Sequence, residues 1–94
     1  MVNIYSVYDN ERKIYANPFF TDGTEDHVNA IRVFKAQLFD RSNLIALFPD
    51  KFDLYYLGEF DETTGYFTFD MEECELVISG TKALEELRNE PVQD

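Results

Sequence analysis

The residues best suited to chemistry in this sequence are aromatic and basic side chains near its start. Three tyrosines flank a short basic pair, Arg12 and Lys13, and Tyr55 and Tyr56 add two more rings later in the chain. Aromatic rings beside cations are typical of surfaces that bind single-stranded nucleic acid, because rings stack on bases while cations hold phosphates. The candidate nucleic-acid-binding residues are Tyr5, Tyr8, Tyr15, Arg12, Lys13, Arg32, Lys35 and Arg41.

Both parts of this set have a simpler explanation. Aromatic residues in strands usually pack in the core or against a neighbouring strand, and Arg32, Lys35 and Arg41 also fit a solvated helix face. Nineteen Asp and Glu against eight Lys and Arg give a net charge of -11, which repels phosphates and anionic membranes at long range. An acidic surface can instead attract a basic protein, so both classes of partner stay open.

Catalytic and metal-binding arrangements have little support in the sequence. Cys74 lies among glutamates, whose negative charge disfavours a reactive thiolate. A zinc site needs about four converging ligands, and Cys74 and His27 lie far apart in the chain. Paired acids such as Asp50 and Asp53 fall in predicted turns, and the four glycines are isolated, which leaves no phosphate-binding loop. We therefore expect no enzymatic activity, no metal and no cofactor.

The strands that must position these residues can be read from the apolar pattern. Residues 2–8 are β-branched and aromatic on both faces, which predicts a central strand. Residues 14–16 can return antiparallel to it across a polar turn, before Pro18 interrupts the ladder. Residues 52–60 and 66–71 predict a second hairpin with Gly65 in its turn. A further short strand is expected over residues 76–78.

Helical spacing predicts one main helix after the first hairpin. Its N-cap is expected at Thr24. A short helix or 3₁₀ turn is expected over residues 43–48, and Thr81 is expected to cap a C-terminal helix over residues 82–89. The apolar stripe of the main helix consists of Val28, Ile31, Phe34 and Leu38.

The length of 94 residues permits one hydrophobic core and hence a single domain over residues 1–94. We expect the core to occupy about residues 2–71 and residues 72–94 to form a variable C-terminal segment. The predicted fold is α+β, with a small antiparallel sheet of three to five strands, one main helix packed on a face and a short C-terminal helix. The strand edges of so small a sheet are compatible with a homodimer.

Several blocks of sequence between residues 4 and 69 occur in a specific order and spacing. They are IYSVYD at residues 4–9, PFF at 18–20, AIRVF at 30–34 and FPDKFDLYYLGEFD at 48–61, followed by Gly65. Together these blocks resemble the small nonstructural protein of gokushoviruses, single-stranded DNA phages of the Microviridae. The segment after Met71 shows little of this resemblance.

The resemblance implies a nonvirion, DNA-binding protein of phage replication that promotes the switch to single-stranded genome synthesis. That family has no established catalytic residues to place on this sequence. The implied partners are phage or host replication proteins and single-stranded DNA. With a lone cysteine, no apolar run of about 20 residues and no signal-peptide pattern, we expect the host bacterial cytoplasm and no membrane contact.

A different class of function fits the charge directly. An acidic protein-interaction module, acting as a DNA mimic or as an inhibitor, would present carboxylates to a basic host or phage protein. The two functions differ in whether the cations gather on one folded face or are scattered among the acids.

Overall fold

The computed structural model describes residues 1–23, 25–40, 42–69 and 74–89. Within these residues, six strands form one antiparallel sheet, accompanied by three α-helices and two 3₁₀ turns. The α+β class, the main helix and the short C-terminal helix are confirmed. Two strands, β1 (Val2–Asp9) and β4 (Phe52–Asp61), form the centre of the sheet and pair along their lengths. Residues 3–7 of β1 are buried without interruption, as their continuous apolar pattern predicts.

Each outer edge of the sheet carries two short strands placed end to end. Beside β1 lie β2 (Ile14–Tyr15) and β3 (Phe19–Asp22), and beside β4 lie β5 (Tyr66–Phe69) and β6 (Glu75–Ser79). The sheet therefore has six strands rather than three to five. The reason is that the chain interrupts its pairing near Pro18, which has no amide hydrogen, and then pairs again with the other half of β1.

The main helix, α1 (Val28–Gln37), follows a 3₁₀ turn at Glu25–His27. His27 occupies its N-cap position with a left-handed φ of 57° and makes no side-chain capping bond. Thr24, the predicted N-cap, lies outside the described residues. Of the predicted stripe, Phe34 is fully buried while Val28 is exposed, and Ala30 is buried instead. The helix is thus rotated so that small Ala30 lies against the sheet.

The other two helices begin at capping side chains. Helix α2 (Leu44–Leu47) lies within the predicted span, and Asn43 accepts a hydrogen bond from the amide of Ile45. Helix α3 (Gly80–Asn89) starts earlier than predicted, because β6 runs directly into it and the Ser79 hydroxyl accepts from the amide of Lys82 at 3.0 Å. Ser79, not Thr81, is therefore the cap. No described helix is long and apolar enough to cross a membrane.

All three helices contribute to one core on a single face of the sheet. This core includes residues from α3 and β6, so it extends beyond residue 71, the boundary expected from the sequence. The segment 74–89 is accordingly an integral part of the sheet and of the helical layer. The core residues are Tyr5, Val7, Ala30, Phe34, Ile45, Leu54, Ile78 and Ala83.

Candidate nucleic-acid interface

The face of the sheet opposite the helices, which we call the open face, carries two groups of aromatic side chains. Successive strand residues point to opposite faces, so Tyr5 and Val7 enter the core while the even-numbered residues of β1 point to the open face. One group lies around Tyr8 at the end of the sheet that contains β2, and the other lies around Phe60 beside β3 and β5. We call them the tyrosine end (Tyr8, Tyr15 and Tyr55) and the phenylalanine end (Phe20, Phe60, Phe67 and Phe69).

The tyrosine end is a compact cluster of three rings from three adjacent strands. Strand pairing places Tyr8 opposite Tyr15, with ring centroids 4.7 Å apart. Tyr55 lies edge-on to both, at 6.0 Å from Tyr8 and 5.7 Å from Tyr15. Beneath them, the buried Ser6 hydroxyl donates to the carbonyl of Ala16 at 2.6 Å and holds the end of β2 against β1. The cluster is thus fixed by the sheet and by ring-to-ring packing.

The rings of the tyrosine end are accessible, and the pKa values of two of them, Tyr15 and Tyr55, are raised. Tyr15 is 44% exposed, and Tyr8 and Tyr55 are half-buried. Burial among the neighbouring rings, with a further contribution from Cys74, raises the pKa of Tyr15 to about 12. Burial and the Asp53 carboxylate also raise the pKa of Tyr55. At physiological pH these two side chains therefore present neutral rings and hydroxyl groups that can donate hydrogen bonds.

The predicted turn between β1 and β2 carries two cations, Arg12 and Lys13. Asp9 organises the turn, because its Oδ1 accepts from the amides of Glu11 and Arg12 at 2.9 and 3.1 Å. Lys13 adopts a left-handed φ of 61°, and its amide donates to the Asp9 carbonyl. The Arg12 side chain is 70% exposed, with its Nε 3.9 Å from Asp9 Oδ2. Arg12 and Lys13 therefore follow directly on the strand end that carries Tyr8.

Tyr5, a predicted member of the site, lies on the other face and is fully buried. Its ring stacks on Phe19 at 5.7 Å, and its hydroxyl is 2.6 Å from His27 Nδ1 and accepts from Asn3 Nδ2 at 3.1 Å. Its assignment to the binding surface was wrong, because residues three apart in a strand point to opposite faces. The same rule separates Tyr55 on the open face from Tyr56, which packs against Tyr5.

The cations of the helices do not join the tyrosine end. Arg32 and Lys35 lie on α1, which packs against the opposite face of the sheet. Lys35 Nζ is 2.9 Å from Glu86 Oε1 and links α1 to α3. Arg41 lies outside the described residues. Of the predicted set, the structure therefore brings together Tyr8 and Tyr15, and it adds Tyr55. Arg12 instead lines a cavity on the helical side of the hairpin.

A cavity of about 540 Å³ opens on the helical side of the same hairpin. Its floor is apolar, with Val7, Ile45 and Phe52, and its rim includes Arg12 and Asp40. The rim acid is engaged in local structure, since its carboxylate accepts from the amide and hydroxyl of Ser42, which lowers the pKa of Asp40. No cluster of three metal-ligating side chains occurs among the described residues.

Comparison with known proteins gives a family. A model of the family described as "Phage ORF5 protein" matches residues 2–83. No curated protein and no solved structure matches the chain. The matched span contains all the strands described above and therefore both ends of the open face. Since it covers most of the 94 residues, the chain belongs to the Phage ORF5 protein family and is a phage protein.

Proposed function

We propose that this protein is a noncatalytic replication accessory protein of a small single-stranded DNA phage. In this proposal it acts in the host cytoplasm, in the switch to single-stranded genome synthesis, as its resemblance to the gokushovirus nonstructural protein implies. Membership of a phage family supports the phage part of the proposal. The DNA contact is supported by one observation above all, the exposed tyrosine end on the hairpin whose turn carries Arg12 and Lys13.

Each part of this surface has a separate contribution to binding. A base stacked on an aromatic ring contributes about 1–3 kcal/mol, as judged by substitution of such rings. Tyr15 is the most exposed ring of the three and is the first platform for a base. Phosphate contacts with Arg12 and Lys13 would release counterions, with a log–log salt slope of about -0.7 per contact on single strands. Two such contacts give a slope of about -1.4.

The test is fluorescence anisotropy of a labelled oligothymidylate, titrated with the protein over a series of salt concentrations. We expect Tyr15→Leu to weaken binding by about 1–3 kcal/mol with an unchanged salt slope. We expect the double variant Arg12→Ala with Lys13→Ala to flatten the slope towards zero.

Two matched controls separate a specific site from general effects. Phe39→Leu removes an aromatic ring that is 73% exposed at the end of α1, away from the tyrosine end. Lys82→Ala with Arg88→Ala removes two cations from α3 and changes the net charge by the same amount as the hairpin variant. Both controls should bind like the parent protein. Absence of saturable binding at low salt, or an equal loss in the controls, would exclude this DNA contact.

A second candidate function is an acidic interaction module, a DNA mimic or inhibitor that binds a basic host or phage protein. It is favoured by the charge of -11 and by the placement of described cations on separate elements, with Lys35 already paired to Glu86. In that case the anisotropy assay shows no DNA binding, and the tagged protein retains a basic replication protein from infected cells until salt is raised. Retention that is insensitive to salt would contradict this alternative.

A further inference from the structure

The phenylalanine end of the open face is a second surface, built without polar side chains. Phe60 and Phe67 have ring centroids 4.8 Å apart, and Phe67 stacks on Phe69 at 5.7 Å with an interplanar angle of 5°. A hollow of about 320 Å³ lies between Phe67, Phe60, Phe20 and Val2. Phe20, Phe67 and Phe69 are each about half exposed. Such a continuous aromatic patch is characteristic of a surface that contacts another protein.

The surroundings of this patch disfavour nucleic acid. At the adjacent β4–β5 turn lie Asp61 and Glu62, and Glu62 forms an ion pair with the N-terminal ammonium at 3.0 Å. Asp61 accepts hydrogen bonds from the amide and hydroxyl of Thr63, which lower the pKa of its carboxyl and keep it charged. Phosphates would be repelled here, so a protein is the better occupant.

The strand at this edge is itself suited to pairing. Among the described residues, β5 (Tyr66–Phe69) pairs with β4 on one side, and its other side forms the edge of the sheet. All four of its residues are exposed, and none is charged or a proline. Edge strands are usually protected by charges, prolines or bulges against pairing with another chain. This strand lacks these protections, so its backbone groups remain available to a partner strand.

We propose that a second copy of this chain joins the phenylalanine end at its β5 edge, with β5 pairing antiparallel to β5 of the other copy. Antiparallel pairing between the same strand of two copies has two-fold symmetry, so the uncharged strand β5 supplies both halves of the contact. It would also bring Phe67 and Phe69 of the two copies together on one continuous open face. This inference is independent of DNA binding at the tyrosine end.

The size of the patch sets the expected strength. Aromatic residues bury about 150–250 Å² each when covered completely, so Phe67 and Phe69, which are each about half exposed, supply at most about 200 Å² per copy. A standard interface buries about 800 Å² per partner, and the remainder must come from the strand backbone and the rim. Two copies that each carry a charge of -11 also repel one another, so salt should strengthen the dimer, whereas it weakens phosphate contacts.

The test is sedimentation equilibrium of the full chain over a range of protein concentrations at low and high salt. We expect the apparent mass to rise with protein concentration from 11.0 kDa towards twice that value. At high salt this rise should occur at a lower protein concentration than at low salt. Phe67→Glu introduces a charge twice in the symmetric contact and should raise the dissociation constant by about tenfold or more.

The matched control is Phe39→Glu, which makes the same change at a phenylalanine that is 73% exposed at the end of α1. It should dimerise like the parent protein, and circular dichroism should show that both variants are folded. A parent protein that stays monomeric at all concentrations and salts would overturn the proposal, and would assign the patch to a different protein. Equal weakening by both variants would also overturn it.

Discussion

Replacement of Gly80 by alanine is the sharpest test of how α3 joins the sheet. Gly80 is buried at the first position of α3, where β6 runs directly into the helix. A Cβ atom at this position would lie 1.8 Å from the carbonyl oxygen of Pro49 and 2.6 Å from that of Phe52. Both neighbours are backbone atoms, so rotation of a side chain cannot relieve the overlap.

The expected loss of stability follows from the distance that helix α3 must move. Ordinary van der Waals contact begins at 3.4 Å, so the first turn of α3 would have to shift by roughly 1.5 Å. Such a shift disturbs the buried Ala83 one turn later and stretches the capping bond from the Lys82 amide to Ser79. Overpacking costs about 1–3 kcal/mol, and loss of a cap costs about 1 kcal/mol. We expect the free energy of unfolding to fall by about 2–4 kcal/mol.

This loss is large for a chain whose total stability should be about 5–14 kcal/mol. It corresponds to a decrease in Tm of about 8–30 °C, at 4–8 °C per kcal/mol. Urea and thermal unfolding followed by circular dichroism measure both quantities. Thr81→Ala is the control, because Thr81 is exposed in the same turn and should change stability by less than about 0.5 kcal/mol. A Gly80→Ala protein that unfolds at the parent midpoint would refute the packing of α3 against Pro49 and Phe52.

Two further predictions concern tyrosines on the helical face. Tyr5→Phe removes the hydroxyl that contacts Asn3 and His27, so the free energy of unfolding should fall by about 1–3 kcal/mol. An unchanged midpoint of urea unfolding would contradict these hydrogen bonds. Burial, followed by the Glu59 carboxylate, raises the pKa of Tyr56 to about 12 from 10.0. The free energy of unfolding should therefore fall as pH rises from about 10 through about 12. Urea unfolding of the parent protein and of Tyr56→Phe over this pH range measures the effect. An equal loss of stability in Tyr56→Phe would contradict the prediction.

The elements built from local signals could be predicted from the sequence. The unbroken run over residues 2–8 predicted a strand buried on both faces, and the structure places it at the centre of the sheet. The turn at Gly65 has the expected positive φ of 78°. The strand after that turn is described from Tyr66 to Phe69, and the rest of the predicted strand, residues 70–71, lies outside the described part of the chain.

The features that depend on contacts between residues distant in sequence could not be predicted from local sequence signals. Strand β3 exists because Phe19–Asp22 pairs with the first half of β1, and nothing in its own four residues specifies that partner. The start of α3 was misplaced because the capping signal at Ser79 lies inside an apparent strand. Exposure of Val28 and burial of Ala30 follow from the orientation of α1 on the sheet, which helical spacing alone leaves open.

In the candidate site, too, local signals predict some of the residues, while others depend on pairing between distant strands. Tyr8 and Tyr15 come together because one hairpin joins them, and a hairpin is a local structure. The side of the sheet on which Arg12 of the same hairpin lies could not be predicted in this way. The alternation of side chains along a strand is enough by itself to place Tyr5 and Tyr8 on opposite faces of β1. The addition of Tyr55 required the register between β1 and β4, which places it opposite Ser6.

The two ends of the open face are compatible within one assembly. The tyrosine end lies beside β2, and β5 pairs with the other end of β4, so pairing through β5 would leave both tyrosine clusters of a dimer uncovered. Two weak sites held rigidly in one particle bind a long strand far more tightly than either site alone. A chain with a charge of -11 and only two cations on the hairpin of its tyrosine end is expected to bind short strands weakly. Dimerisation would therefore favour long single-stranded DNA, such as a newly made genome, over short fragments.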